Sequence, residues 1–343
     1  MRLGSKAIHP DLFQLFRGYS SLRSPTQLAF PSHLGTAAIH EFLLSLLTSE
    51  HLQTYPPSLQ YQKTFWKWVI PLLERKLASE DDDEGLDLEI DSRIYSHYLG
   101  LLNASDLVSG PPAESYITYI WQPPGDEDSY ETTTLRESRT LIESGTTGLR
   151  TWLASFVLAQ YLVAHPAIVC GKRVLELGAG IGFLGSVVGS IQILEDAPNS
   201  IWLSDVNESV LVRCQANVQL ECNRSASHPS IQCRFLDWSV ALDPAEIDTV
   251  RSMLVNEVDA DIILGADIVF DPTLIPALVA ILRLALSTGR PKTALIALTV
   301  RNPDTMDLFV QSVGDNGLKW KGSRWTTLCQ CWWTAREAMQ IMV

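Results

Sequence analysis

Val174-Leu-Glu-Leu-Gly-Ala-Gly-Ile-Gly-Phe-Leu-Gly185 decides how this 343-residue chain is read. A short apolar run ends in Glu176, and a glycine turn opens what reads as a helix. Glycine lacks a Cβ and tolerates positive φ, so such a turn lets the backbone come close to a nucleotide-like ligand. Taken alone the stretch is ambiguous, because Gly180-Ile-Gly182-Phe-Leu-Gly185 also satisfies the G-x-G-x-x-G dinucleotide fingerprint. The residues downstream separate the readings: Asp205, then Leu236-Asp237-Trp238, then Gly265-Ala-Asp267-Ile-Val-Phe270-Asp-Pro. A dehydrogenase accounts for an acid after its second strand but not for the two later elements. It would also need a proton-relay residue, and the seven histidines (His9, His33, His40 and His51 among them) offer no convergent set.

Outward from the turn, strand and helix patterns alternate. Strand candidates are 172–177, 201–205, 231–236, 260–266 and 293–300, with two more near 317–326 and 336–343. The continuous apolar runs Ile262-Ile-Leu264 and Ala294-Leu-Ile-Ala-Leu298 suit strands covered on both faces. That is the expectation for a parallel sheet with helices on each side. Ligands of such sheets sit beyond the carboxyl ends of the strands, at the switch point. Gly178, Gly180 and Gly182 follow the first strand, Asp205 the second, Asp237-Trp238 the third and Ala266-Asp267 the fourth. Asp205 also has a plainer reading, as a helix cap within Ser204-Asp-Val-Asn207.

Upstream, residues 1 to about 78 read as helical. Apolar residues recur at helical spacing in Ala37–Leu47 and around Phe65–Ile70, where Pro71 is expected to interrupt. The like-charge run Glu80-Asp-Asp-Asp-Glu-Gly85 reads as a solvated loop between folded units. Proline and glycine punctuation brackets a strand at Ser115–Trp121, with Tyr130–Arg136 as its hairpin partner. A helix is expected over Leu153–Val163. The domain expectation is a helical N-terminal substrate-recognition unit, 1–109, followed by a catalytic unit, 110–343.

A net charge of −13 argues against electrostatic capture of nucleic acid, which needs basic patches. The six cysteines show no zinc spacing, and Cys329-x-Cys331 reads as a strand pair pointing to one face. No metal is expected, and the free-thiol pattern suits a reducing compartment. The N-terminus lacks the pattern of a signal peptide, and Leu274–Leu286 is too short to span a bilayer. The expected setting is a cytoplasmic monomer, without membrane or direct nucleic-acid contact.

The ordered series of motifs is the signature of S-adenosylmethionine-dependent methyltransferases. The chain closely resembles the elongation factor 2 lysine methyltransferase family within the seven-β-strand branch. Three stretches carry the likeness: Ser144–Trp152, Val174–Gly180, and Leu298-Thr-Val-Arg-Asn-Pro-Asp304. It covers residues 110–343, and the N-terminal unit agrees in kind and length. The resemblance implies an α/β fold: a seven-stranded Rossmann-like sheet with helices on both faces, preceded by a small helical domain. It implies S-adenosylmethionine as cofactor, no metal, and translation elongation factor 2 as protein substrate. It carries over Trp152 as a contact at the pocket mouth, Gly178-Ala179-Gly180 and Gly182 as the methionyl turn, and Asp205 as ribose ligand. Asp237 would pair with the adenine amino group, while Trp238 and Ala266 would border the adenine and sulfonium regions. One departure stands out. The branch usually shows D-x-x-Y after the fourth strand, and Asp267-Ile-Val-Phe270 lacks the hydroxyl.

Methyl transfer to an amine needs positioning and desolvation more than protein-borne chemistry. Asp267 is expected either to orient or deprotonate the amine, or to hold its own loop. Phe270 would supply an aromatic wall for the lysine stem. Two other readings share this core: a methyltransferase for a small molecule or another protein, and a non-catalytic interaction module that binds S-adenosylmethionine.

Overall fold

A computed structural model describes residues 3–4, 8–84, 89–105, 115–126, 129–138, 147–287, 292–299, 301–325 and 339–342. The chain divides into two compact units. One comprises Arg2–Ile120 with Thr134–Leu141, and the other Trp121–Thr133 with Ile142–Val343.

In the first unit, a short strand β1 (Leu3–Gly4) precedes α1 (Pro10–Ser20), α2 (Thr36–Thr48), α3 (Glu50–Thr54), α4 (Leu59–Glu84) and α5 (Ser92–Ser105). His9 caps α1 by accepting from the Asp11 N–H, and Pro10 fills the first turn, where its missing N–H costs nothing. Ser49 caps α3 through the Leu52 N–H. Ile39, Leu43, Phe65, Trp66, Leu73 and Ile94 are completely buried between these helices. That burial explains two departures from the sequence expectation. Pro71 does not interrupt, because α4 runs through it; Val69 and Ile70 before it and Leu73 after it are all anchored in the same core. Nor do residues 80–84 form a loop, since they continue α4 to Glu84. Tertiary packing outweighs the roughly 3 kcal/mol that proline costs inside a helix.

β2 (Ser115–Trp121) and β3 (Ser129–Glu137) are neighbours in a three-stranded sheet of order β1-β3-β2. The division between units runs through this hairpin. On one side of it Thr118 and Thr134 share a hydrogen bond of 3.0 Å; on the other the Trp121 indole N–H donates to Thr133 at 3.0 Å.

The second unit continues with α6 (Leu153–Ala164), β4 (Val174–Leu177), α7 (Phe183–Leu194), β5 (Ile201–Asp205), α8 (Glu208–Val218), β6 (Ile231–Phe235) and α9 (Ile247–Ser252). It ends with β7 (Ile262–Ala266), α10 (Ile275–Leu286), β8 (Thr293–Thr299), α11 (Pro303–Asp315), β9 (Gly322–Trp325) and β10 (Met339–Met342). The sheet order is β6-β5-β4-β7-β8-β10-β9. The first five strands in that order are parallel, and β10 runs antiparallel to both its neighbours. All four residues of β4 are buried, as a central strand covered on both faces requires. In register, Val174 lies opposite Ile201 on one side and Ile262 on the other, so the carboxyl ends of β4, β5 and β7 finish level. Successive connections leave β4 in opposite directions, toward β5 and later toward β7. This switch point opens the crevice described below. Cys329 and Cys331 lie outside the described residues.

Trp66 tests the first unit. Its ring meets Phe65 edge-on at 5.5 Å and His97 at 5.4 Å, with no exposed surface. Trp66→Ala should destabilise that unit by about 3–5 kcal/mol, read as a fall in the urea midpoint followed by circular dichroism.

Candidate functional site

At the carboxyl ends of β4 to β8 lies a cavity of about 440 Å³. The segments following these five strands and the approach to α6 furnish its walls. After β4, the Ala179 N–H donates to the Ser204 carbonyl at 2.9 Å, while the Asn217 amide holds the Ile181 carbonyl at 3.0 Å. Gly178 and Gly180 sit at φ +64° and +54°. A Cβ at Gly178 would stand 2.8 Å from the Ile268 side chain, and one at Gly180 would stand 3.0 Å from the Gly148 carbonyl oxygen. The turn is therefore a cradle that a side chain would fill.

Asp205 ends β5 and is committed on both oxygens. One accepts from the Gly180 N–H and the other from the Asn207 N–H, each at 3.1 Å. Burial pushes its carboxyl above the ordinary range, opposed by the N–H groups of Asn207, Gly180 and Val206. The cap of α8 is Asn207, which accepts from the Ser209 and Val210 N–H groups. Asp205 thus ties the turn to the strand end, and each carboxylate oxygen keeps acceptor capacity toward the cavity. Asp237 accepts from the Ser239 N–H at 2.9 Å and so shapes the short turn carrying Trp238.

Trp152, Gly178, Ala179, Gly180, Asp205, Asp237, Trp238, Ala266, Asp267 and Phe270 all line this one cavity. Gly182 does not. It caps α7 with φ +85°, and a Cβ there would meet the Cys214 sulfur at 2.8 Å, so its smallness serves the packing of α7 against α8. Phe270 is 54% exposed, which excludes ordinary core packing for its ring. Asp267 has φ +59°, and its N–H donates to the Ala297 carbonyl at 2.8 Å. Its carboxylate accepts from the Thr299 N–H at 3.4 Å and pairs with the Arg301 guanidinium at 2.5 Å. That guanidinium also lies 5.0 Å from the Trp152 ring centroid. Arg301 and Arg150 line the cavity too, and neither was singled out among the sequence candidates. The signal for Arg301 was present in Thr299-Val-Arg-Asn-Pro303; for Arg150 it was not, since an arginine before a helix has many ordinary uses.

The histidines correct another expectation. His9 and His33 do converge, with His33 3.0 Å and His9 3.8 Å from an Asp11 oxygen. All three residues are exposed and lie in the first unit.

The fit of S-adenosylmethionine can be judged from these walls. The cradle takes a chain without room for side chains, Asp205 presents acceptor oxygens, and the Trp238 and Phe270 rings offer apolar faces. Behind the turn, Glu176 is buried with one oxygen unpartnered. Burial pushes its carboxyl up to about 8; the Gly185 N–H opposes this, while Cys233 and Asp205 add to it. The folded chain therefore holds a proton on Glu176 that the unfolded chain releases near 4.5. Its contribution to stability is complete below that pH and fades as pH rises toward about 8. Glu176→Gln should gain stability relative to the native chain between about pH 5 and 9, measured by urea unfolding at several pH values.

The comparisons with known proteins agree with this geometry. The lysine methyltransferase family model matches residues 133–314, more than half of the chain. The protein-lysine N-methyltransferase EEF2KMT of Bos taurus is 30% identical, over 91% of each chain. The protein of the same name from Homo sapiens is 28% identical over 93% of this chain and 90% of its own. The protein-lysine N-methyltransferase EFM3 of Saccharomyces cerevisiae is 29% identical over 71% and 68%. Cavity, cradle and near full-length likeness lead to one conclusion: this protein belongs to the lysine methyltransferase family, and it is an enzyme whose cofactor is S-adenosylmethionine.

Proposed function

We propose that the protein methylates a lysine of translation elongation factor 2, acting in the cytoplasm as a monomer and requiring neither metal, membrane nor nucleic acid. The observation that carries this reading is the cavity at the switch point, where cradle, Asp205, Trp238 and Phe270 meet. The choice of substrate rests on likeness to relatives whose name, EEF2KMT, we read as elongation factor 2 lysine methyltransferase.

When bound, S-adenosylmethionine supplies an electrophilic methyl group on a sulfonium. The acceptor would be a lysine amine in its neutral form, its proton released to water. The chain's own part is placement and exclusion of water. Gly178 and Gly180 would admit the methionyl portion, Asp205 and Asp237 would accept from the ribose and adenine, and Trp152, Trp238 and Ala266 would border the ligand. The Phe270 ring encloses the lysine stem. An apolar surround disfavours the ammonium form and so favours the nucleophile.

The helical unit is assigned to substrate recognition. Tyr95, Leu99 and Leu102 stand on α5 at helical spacing and are 36%, 58% and 39% exposed. An apolar ridge of this kind suits a protein partner better than a small acceptor.

The direct test incubates purified protein with labelled S-adenosylmethionine and elongation factor 2, followed by peptide mass spectrometry. Label absent from the factor, with label entering other proteins of an extract, would overturn the substrate assignment. Asp205→Ala should weaken S-adenosylmethionine binding by roughly ten- to hundredfold, since a charge-assisted hydrogen bond is worth about 1.5–3 kcal/mol; calorimetry reads it. Phe270→Ala should lower turnover more than about tenfold, the scale of one well-placed contact, while Phe270→Tyr should change it only a few-fold. Leu99→Glu should raise KM for elongation factor 2 and leave cofactor affinity as it is.

A further inference from the structure

Thr299-Val-Arg301-Asn-Pro303 runs from the last residue of β8 to the first of α11, and its arginine has no part in the scheme above. Arg301 lines the same cavity as the glycine cradle. Its guanidinium holds one oxygen of Asp267 and lies over the Trp152 ring. Trp152 is itself tethered, since its indole N–H donates to the Thr147 carbonyl at 3.1 Å. The Asp267 side chain is only 6% exposed, against 48% for Arg301. A carboxylate so enclosed would be costly without a cation beside it.

We propose that Arg301 is a positioning residue: it occupies Asp267 and braces Trp152, so that the acceptor lysine meets a neutral pair and not a free carboxylate. This rests on the lysine methylation reading. A free lysine is an ammonium at neutral pH, with an ordinary pKa of about 10.4. An unpaired carboxylate in an enclosed cavity would bind that ammonium and stabilise the form that cannot attack. The charged groups facing the cavity are Arg150, Asp205, Asp237, Asp267 and Arg301. Asp205 and Asp237 are turned to backbone N–H groups, whereas Asp267 is held by a guanidinium. Guanidinium suits the double task. Its plane can lie on an indole face while its edge pairs with a carboxylate, which a lysine ammonium cannot reproduce.

The test compares turnover of elongation factor 2 across about pH 6.5–10 for the native enzyme, R301Q, R301K and the double variant D267N/R301Q. Native turnover should rise with pH as the lysine loses its proton. In R301Q the freed carboxylate should move the midpoint of that rise up by roughly one pH unit, with turnover near neutral pH down about tenfold. Without cofactor, R301Q should bind elongation factor 2 at least threefold more tightly near neutral pH. Removing the carboxylate as well, in D267N/R301Q, should recover several-fold of the lost turnover. R301K should keep the native pH midpoint and lose turnover through Trp152 alone; this arm carries the test if R301Q does not fold. A uniform loss in R301Q at every pH, or a double variant no better than R301Q, would reduce Arg301 to ordinary structure and overturn the inference. A displaced midpoint in R301K would overturn it too. A native enzyme inactive on elongation factor 2 would instead overturn the reading beneath it.

Discussion

The bond from the Gly180 N–H to the Asp205 carboxylate is the constraint on which the rest of the site depends. It joins the loop after β4 to the end of β5, two strands whose register already brings their carboxyl ends level. In that loop Gly178 and Gly180 take positive φ, and a Cβ on Gly180 would stand 3.0 Å from the Gly148 carbonyl oxygen, so glycine serves at both positions. The same bond leaves Asp205 anchored and aimed. An unanchored aspartate would lose rotamer freedom on meeting a ribose, so its attachment to backbone is part of its use as a binding group.

Much of this was legible in the sequence because the features are local. Alternating apolar runs revealed β4 to β8, and the motif at each strand end followed from topology once the strands were placed. The C-terminal strands β9 and β10 were read within a few residues of their bounds. Pro71 and the acidic run misled for the opposite reason. Their local signals are genuine, yet the helix is held by distant partners such as Ile39 and Leu43 on α2 and Ile94 on α5, which no window around residue 71 reveals. Gly182 was assigned to ligand binding by its motif, whereas its neighbour is Cys214 on another helix. The histidines read as offering no convergent set because 23 intervening positions conceal that His9 and His33 both meet Asp11.

The carboxylates illustrate how environment sorts residues of one type. Glu176 lies one residue before the end of β4 and Asp205 at the end of the adjacent β5, and the Asp205 charge adds to the cost of ionising Glu176. Asp205 is met by three backbone N–H groups, while Glu176 has the Gly185 N–H and an oxygen with no partner. The protonated form therefore falls to Glu176, at about 8, and the charge to Asp205. Only the charged one faces the cavity. A sequence containing Val-Leu-Glu-Leu-Gly offers Glu176 as readily as Asp205 for ligand binding, and burial alone distinguishes them.

Asp267 extends the argument to a third solution. It is too enclosed to rely on water, and its charge is met by the Arg301 guanidinium together with the Thr299 N–H. These three acids thus have different guarantors: a proton for Glu176, backbone dipoles for Asp205, an arginine for Asp267. An amine entering the cavity finds the Asp267 carboxylate already engaged, which keeps that group from becoming a trap for ammonium ions. In a reaction whose nucleophile must be neutral, satisfying the acids beforehand matters as much as placing them.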